Sequence, residues 1–464
     1  MENSTGSGEN VALSQQKIFW FWLPLFASWL LMTAEGPFVT AVINRLPDEV
    51  IMLAAQGIVV SLSVLIESPI INLLATSTAL AKDRPTYLLL RRFTIHWAIF
   101  LTIVSALVAF TPLFDVVVIH MLGTPEPVAH WVKPGLQIMT FWSAAIAWRR
   151  FLQGVLIHFG QTRRIAWGTL IRLSSSAGTA AILGLYSGFP GVVIGACALM
   201  AGVITEAVYT TFAVRPILND QLSPTKPHAA EPTITYQELF HFHLPLAGTS
   251  VLTLLAQPLV TFSLARLANP TISLAAWPVT FQVTLMARAA AMAWPEVVIA
   301  LSKDRETFLP IRIFTSKMAV IITALMALFL FTPLSAFYIF VVQDMTLVVG
   351  ALARSSLTLF LFFPALAVFT SWLRGLLIKR RVTSQVNMGM AINLSLTAVV
   401  LATGIALQLP GLPAAAIALN IAALGEVIYL IWRTAKTLAP DIRLLSRKYA
   451  LAVDRDENTI GTIT

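Results

Sequence analysis

The sequence predicts an all-α integral membrane protein, with about 12 transmembrane helices in two homologous six-helix bundles related by a pseudo-two-fold axis along the membrane normal. Three observations predict it. The first is composition: of 464 residues, 57% are hydrophobic and 11% charged, against roughly 25% charged in an average soluble domain. With a mean hydropathy of +0.79, the apolar residues exceed what a water-surrounded core of this size can hide, which excludes a soluble enzyme. The second is the length of the apolar runs, which at roughly 20 residues per crossing leave room for that number of helices. The third is a duplication: FWFWLPL at 19–25 recurs as FHFHLPL at 240–246.

In chain order, a polar N-terminus (1–17) precedes an apolar run from Ile18 to Ile43 that is too long for a signal-peptide core and reads as the first span. Spans are expected at 18–43, 50–80, 93–119, 134–158, 165–187 and 191–214, a lobe of 18–215. After a polar linker, 216–236, they are expected at 239–265, 271–301, 313–342, 352–378, 384–408 and 412–435, a lobe of 237–436 followed by a tail, 437–464. Several runs exceed one crossing, and Pro24, Pro69, Pro245, Pro278 and Pro295 are the expected kinks. No transit or lipidation motif stands out, and the single Cys197 lies in an apolar run, so no intrachain disulfide can form.

Net charge is +9, and its placement sets orientation. Alternate connections hold Lys82, Arg84, Arg91 and Arg92; Arg163 and Arg164; Arg215 and Lys226; Lys303, Arg305, Arg312 and Lys317; and Lys379, Arg380 and Arg381, fifteen in all. The other connections hold four: Arg45, Lys133, Arg266 and Arg354. The expectation is both termini in the cytoplasm, in a plasma (inner) membrane. Arg443, Arg447 and Lys448, set among Ile442, Leu444, Leu445 and Tyr449, would let the tail lie on an anionic leaflet.

The duplication holds a fixed offset of 221, with 33 identities in the 96 positions from 18 to 113. Lys82-Asp83-Arg84 recurs as Lys303-Asp304-Arg305, and Phe110-Thr111-Pro112-Leu113 as Phe331-Thr332-Pro333-Leu334. Gly154 and Gly168 match Gly375 and Gly389 and, after one deletion, Glu206 and Tyr209 match Glu426 and Tyr429. Shared hydrophobicity does not put charged strings in register. Each half has an even number of spans, so both enter the membrane the same way round.

The loops AKDRPTYLLLRR and SKDRETFLPIR echo the basic loop of the major facilitator superfamily, without its glycines. The chain more closely resembles the MOP flippase superfamily and its multidrug and toxic-compound extrusion (MATE) branch. In LPLFASWLLMTAEGPFVTAVINRL, LAAQGIVVSL, the KDR loop and AIAWRRFLQGVLIHFGQTRRI it is most similar to the progressive ankylosis (ANK) group. That resemblance implies export or exchange of small molecules: anions such as pyrophosphate, nucleotide or citrate in the ANK case, organic cations or drugs in the MATE case. It also gives weight to an acidic residue in the first helix, for which Glu35 is the candidate.

The ionisable groups inside the spans make the site list, since each costs at least ~2.5–3.5 kcal/mol near the bilayer centre unless it faces a cavity or a partner. Glu67 and its repeat equivalent Arg288 carry opposite charges, and the expectations are pairing across a central cleft, a fixed structural pair, or placement on unrelated helix faces. Arg149, Arg150 and Arg172 offer forked bonds to carboxylate or phosphate. Their alternative is pairing with Glu206, Glu296 or Glu426, and Arg374, near a basic loop, is expected to snorkel. Glu35, beside Gly36 and Pro37, is the proton-coupling candidate, with a hydrated structural role as its alternative, while recurrence of Glu206 and Glu426 in both halves points to hydrogen bonds between helices. His241 and His243 are expected at the interface with water, no histidine has metal-ligand spacing, and no phosphate-binding loop is present.

Together these readings give the expectation of a non-enzymatic, monomeric secondary transporter of a small anionic solute, without cofactor and driven by a proton or sodium gradient. Its partners are the solute and the bilayer, not nucleic acid. The alternatives are a MATE-like drug exporter or lipid-linked precursor flippase, and a non-transporting scaffold.

Overall fold

The computed structural model describes residues 13–223, 234–302, 305–380 and 382–460, with side chains as far as Thr437. Twelve long helical segments order the described residues, with short helical turns at Asp115–Met121 and Pro333–Val342. The first lobe is α1 (Gln15–Ile43), α2 (Glu49–Leu80), α3 (Arg84–Phe110), α4 (Glu126–Ile138 and Trp142–His158, joined by a 3-10 turn), α5 (Thr162–Tyr186) and α6 (Gly191–Asp220). The second is α7 (Tyr236–Leu264), α8 (Pro270–Leu301), α9 (Arg305–Phe331), α10 (Leu347–Thr358 and Phe363–Lys379), α11 (Thr383–Ala406) and α12 (Gly411–Ile460). Among the described residues nine of these are long and apolar enough to cross a membrane, ten with the two arms of α10, which meet at 49°. The other two, α4 and α5, carry Arg149, Arg150 and Arg172, which lower their hydropathy.

Several helices start or stop away from the expected positions, for local reasons. At α3, Asp83 caps the first turn by accepting from the Thr86 N–H at 2.8 Å with Pro85 beside it, so the helix begins at Arg84 rather than 93 and carries Arg91 and Arg92 on its flank. A reciprocal box opens α7: the Thr235 N–H donates to Glu238 Oε2 at 2.7 Å and the Glu238 N–H to Thr235 Oγ1 at 3.2 Å. The backbone of α12 continues to Ile460, extending the last span through the tail, although the expected contact of Arg443, Arg447 and Lys448 with the bilayer lies outside the described side chains.

The repeat extends to backbone conformation. Left-handed residues stand at equivalent turns: Asp48 (φ 57°) and Asn269 (φ 54°), Gly123 (φ 69°) and Asp344 (φ 52°), Gly188 (φ 63°) and Gln408 (φ 50°). Asp and Asn tolerate this region best after Gly, and Gln408 is helped by its amide, which donates to Ile405 O at 2.9 Å. Equivalent helices also break at equivalent residues, α1 at Ala34 and α7 at Leu255. The cause is Pro37 and Pro258: a proline has no N–H for the carbonyl four residues back, and its ring clashes there. Pro69 and Pro295 interrupt α2 and α8 as expected, but Pro24, Pro245 and Pro278 sit inside unbroken helix.

The outward faces of α3 and α9 are apolar side chains open to the surroundings, Phe100 and Phe110 on one and Ile321 and Phe331 on the other, as a lipid boundary requires. Between lobes, α2 packs on α8 at small residues; a Cβ on Gly57 would stand 3.0 Å from Pro278. On the face away from the basic loops, two clasps are equivalent by the repeat. Arg45 donates to Val341 O at 3.0 Å, and Arg266 donates to the carbonyls of His120, Met121 and Leu122. Toward the basic face, Asn72 donates to Leu246 O at 2.8 Å and to Ser250 Oγ at 2.7 Å. His243, expected at the water interface, is fully buried there, 3.0 Å from both Thr76 and Pro69 O; only His241 is exposed. The stagger of the two residues puts them on opposite faces of α7.

Candidate functional site: two equivalent cavities within the membrane

Two charged cavities stand at equivalent places in the two lobes. The larger, about 340 Å³, is lined by Glu35 and Thr40 of α1, Gln56 and Glu67 of α2, Trp142, Arg149 and Arg150 of α4, and Arg172 of α5, and reaches the lobe interface at Gln257, Trp277 and Gln282. The smaller, about 170 Å³, is lined by Ala256 of α7, Arg288 of α8, Phe363, Thr370, Ser371 and Arg374 of α10, Asn393 of α11 and Glu426 of α12. The repeat relates them wall by wall: Glu35 corresponds to Ala256, Glu67 to Arg288, Trp142 to Phe363, Arg149 and Arg150 to Thr370 and Ser371, and Arg172 to Asn393.

A buried carboxylate on the last helix of each lobe organises the wall. Glu206, fully buried, accepts from Arg149 Nη1 at 2.8 Å and Gln153 Nε2 at 2.9 Å, with Arg172 Nη1 at 3.8 Å. Glu426 accepts from Arg374 Nε at 2.8 Å and Nη2 at 2.5 Å, and from Asn393 Nδ2 at 3.0 Å. Gln153 is the repeat equivalent of Arg374, as Arg172 is of Asn393, so each carboxylate is served from the same two backbone positions. The arginine hydrogen-bonded to each carboxylate, Arg149 or Arg374, comes from the fourth helix of its lobe, and the first lobe adds Arg172 from its fifth helix at 3.8 Å. The expectation of interhelical bonding for Glu206 and Glu426 therefore takes concrete form. Gln153 and Asn393 escaped the sequence reading, though their register with two arginines marked them.

Arg172 forks onto Glu35, with Nη2–Oε2 at 2.6 Å and Nε–Oε2 at 3.0 Å, while its guanidinium lies 5.9 Å from the Trp142 ring. That geometry ties α1 to α5. Arg374 does not snorkel: Glu426, one helix away, draws it inward, and 27% of its side chain remains exposed. Glu296 is exposed and lines neither cavity.

Glu67 and Arg288 lie in different cavities and form no ion pair with each other among the described residues. Glu67 Oε2 and Arg150 Nε are buried without hydrogen-bond partners, both on the larger cavity. Arg288 Nε is likewise buried without a hydrogen-bond partner, and the guanidinium lies over the face of Phe363 at 5.0 Å. In their ordinary ionisation, Arg149, Arg150 and Arg172 are balanced by Glu35, Glu67 and Glu206. In the second lobe, Arg288 and Arg374 face Glu426 alone.

The chain matches no family model and no curated protein sequence. It is similar to solved structures. One is a multidrug resistance MATE family transporter of the MOP superfamily in an inward-facing conformation, at a TM-score of 0.65 and 14% identity over 89% of this chain and 98% of that one. An outward-facing conformation of a multidrug resistance MATE family transporter gives 0.60 at 14% identity, covering 94% and 99%. A MOP superfamily transporter from Pyrococcus furiosus, described as having a binding pocket of reverse polarity, gives 0.61 at 14% identity, covering 94% and 99%. The chain thus has the two-lobed, all-helical fold of the MOP superfamily transporters.

Proposed function

We propose that the protein is a secondary active transporter of a small anionic solute, working as an exporter or exchanger by alternating access between its lobes and driven by a proton or sodium gradient. The observation that carries this reading is the excess of guanidinium over carboxylate on the two intramembrane cavities: five arginines line them against three glutamates, with Glu206 a fourth carboxylate behind the wall. Similar structures have been solved both inward-facing and outward-facing, which supports alternating access. Basic loops on the cytoplasmic side follow from the positive-inside rule. A scaffold would lock every buried charge in a tight pair, whereas Arg150, Glu67 and Arg288, which line the cavities, each keep a buried polar atom without a hydrogen-bond partner.

One observation favours a lipid-linked substrate as a second reading. A groove of about 310 Å³ runs between Phe26 of α1, Met286 and Ala287 of α8 and Ile322, Leu325 and Phe329 of α9 on the surface that faces lipid. Its wall offers no charged group for a headgroup, which leaves the anion reading ahead.

The test is uptake and efflux of candidate anions in proteoliposomes with imposed pH or sodium gradients, comparing wild type with Glu67→Gln and Arg172→Gln. Transport of anions that depends on one gradient is expected. A protein that moves a cationic dye and no anion would overturn the reading.

A further inference from the structure

We infer that the cavity of the second lobe is the anion-binding site, centred on Arg288, and that it takes a compact oxyanion, a phosphate or a short carboxylate. The inference rests on the anion reading above and gives it a place.

The first lobe supplies the comparison. There, a forked guanidinium is satisfied by Glu35, and Glu67 adds a second carboxylate to the same wall. In the second lobe both carboxylates are gone, replaced by Ala256 and Arg288, while two guanidiniums remain against Glu426. A buried cation without a counter-charge is costly, because desolvation is not repaid by any attraction. An anion entering beside Ala256 occupies the place that the Glu35 carboxylate has in the other lobe, and the Thr370, Ser371 and Asn393 side chains on the same wall supply neutral polar groups.

Size narrows the ligand. A cavity of about 150 Å³ in a protein interior admits benzene, so about 170 Å³ suits a molecule of similar bulk better than a nucleotide. The larger cavity is less suited despite its volume: its charges already balance, and Glu35 and Glu67 repel an anion.

The test uses the full chain, purified in nanodiscs, with thermal unfolding followed in chloride-matched buffer containing inorganic phosphate, acetate, succinate or ATP. Wild type is expected to be stabilised by phosphate or by the carboxylates, which tells the two chemistries apart, and not by ATP. Arg288→Gln is expected to weaken the responding anion about ten- to a hundredfold, while the empty protein unfolds no earlier than wild type because an unpaired charge has gone. Ala256→Glu, which restores the missing carboxylate, is expected to abolish the ligand shift and raise the stability of the empty protein. The inference is overturned if Arg288→Gln retains the wild-type shift, if it unfolds markedly earlier when empty, or if only ATP stabilises wild type. Proteoliposomes separate the two readings: anion exchange that persists at the wild-type rate in Arg288→Gln removes this site and leaves anion transport standing, whereas wild type that moves no anion removes both.

Discussion

Glu206→Gln isolates the energetics of the first lobe. The carboxylate is fully buried and holds Arg149, itself 3% exposed, at 2.8 Å. Gln keeps the shape and one acceptor for Gln153 but takes away the charge, leaving Arg149 beside Arg150 and near Arg172 without its hydrogen-bonded carboxylate. Breaking one side of a buried pair costs about 3–5 kcal/mol. In Glu426→Gln the orphaned group is Arg374, whose side chain is 27% exposed, so it can turn toward the cavity and hydrate; about 1.5–3 kcal/mol, the range for hydrogen bonds to charged groups, is expected there. At about 2–4 °C per kcal/mol for a unit the size of one lobe, Glu206→Gln lowers the unfolding midpoint by roughly 6–20 °C. Tryptophan fluorescence during heating reads the midpoint. Adding Arg149→Met to Glu206→Gln should recover at least half of the loss, because removing both charges removes the orphan. A Glu206→Gln midpoint within about 3 °C of wild type, or a larger loss in Glu426→Gln, would refute the reasoning.

The reciprocal clasps make a second prediction. In a Cys197→Ser background carrying Thr40→Cys, a position 2% exposed against Gln343, the double variant Arg45→Ala with Arg266→Ala should raise the rate of labelling by a hydrophilic maleimide severalfold; an unchanged rate shows that the clasps do not hold that face shut. Glycine packing gives a contrasted pair. A Cβ on Gly154 would come within 2.6 Å of the Leu74 carbonyl, so Gly154→Ala should cost about 1–3 kcal/mol. Gly178 has open space around it in mid-helix, so Gly178→Ala should gain up to about 1 kcal/mol, both read as unfolding midpoints. Finally, Arg172→Lys keeps the charge but loses the fork on Glu35, so it should be destabilised by about 1 kcal/mol and Arg172→Gln by more; equal midpoints for the two would deny the fork its role.

The spans and the duplication were legible because hydropathy and register are properties of the chain itself. The charged network was legible only as a roster. Glu67 and Arg288, equivalent and opposite in charge, could be read as a pair across a cleft or as residues on unrelated faces, because a two-fold axis brings equivalent residues together only if they lie near it; here they lie in two separate, equivalent cavities. Arg374 was read from its nearness to a basic loop, and sequence could not show Glu426 across the helix interface. Proline positions were visible, yet which of them interrupts a helix depends on whether neighbours leave room for the displaced turn, so Pro37 and Pro258 went unmarked and Pro24 was overrated. What could have been read is the hub: Gln153 with Arg374 and Arg172 with Asn393 share the repeat offset with the two carboxylates they serve.

The breaks in α1 and α7 stand at equivalent residues, but among the described residues only that of α1 has an ion pair to a neighbouring helix. Just beyond Ala34, Glu35 is bolted to α5 through Arg172, whereas just beyond Leu255, Ala256 offers Asn393 nothing to hold. In mechanical terms the molecule has two matching elbows, one splinted and one bare. A force that drives the lobes apart meets stiffness at α1 and compliance at α7, so bending work concentrates in the second lobe, on the wall it shares with Arg288.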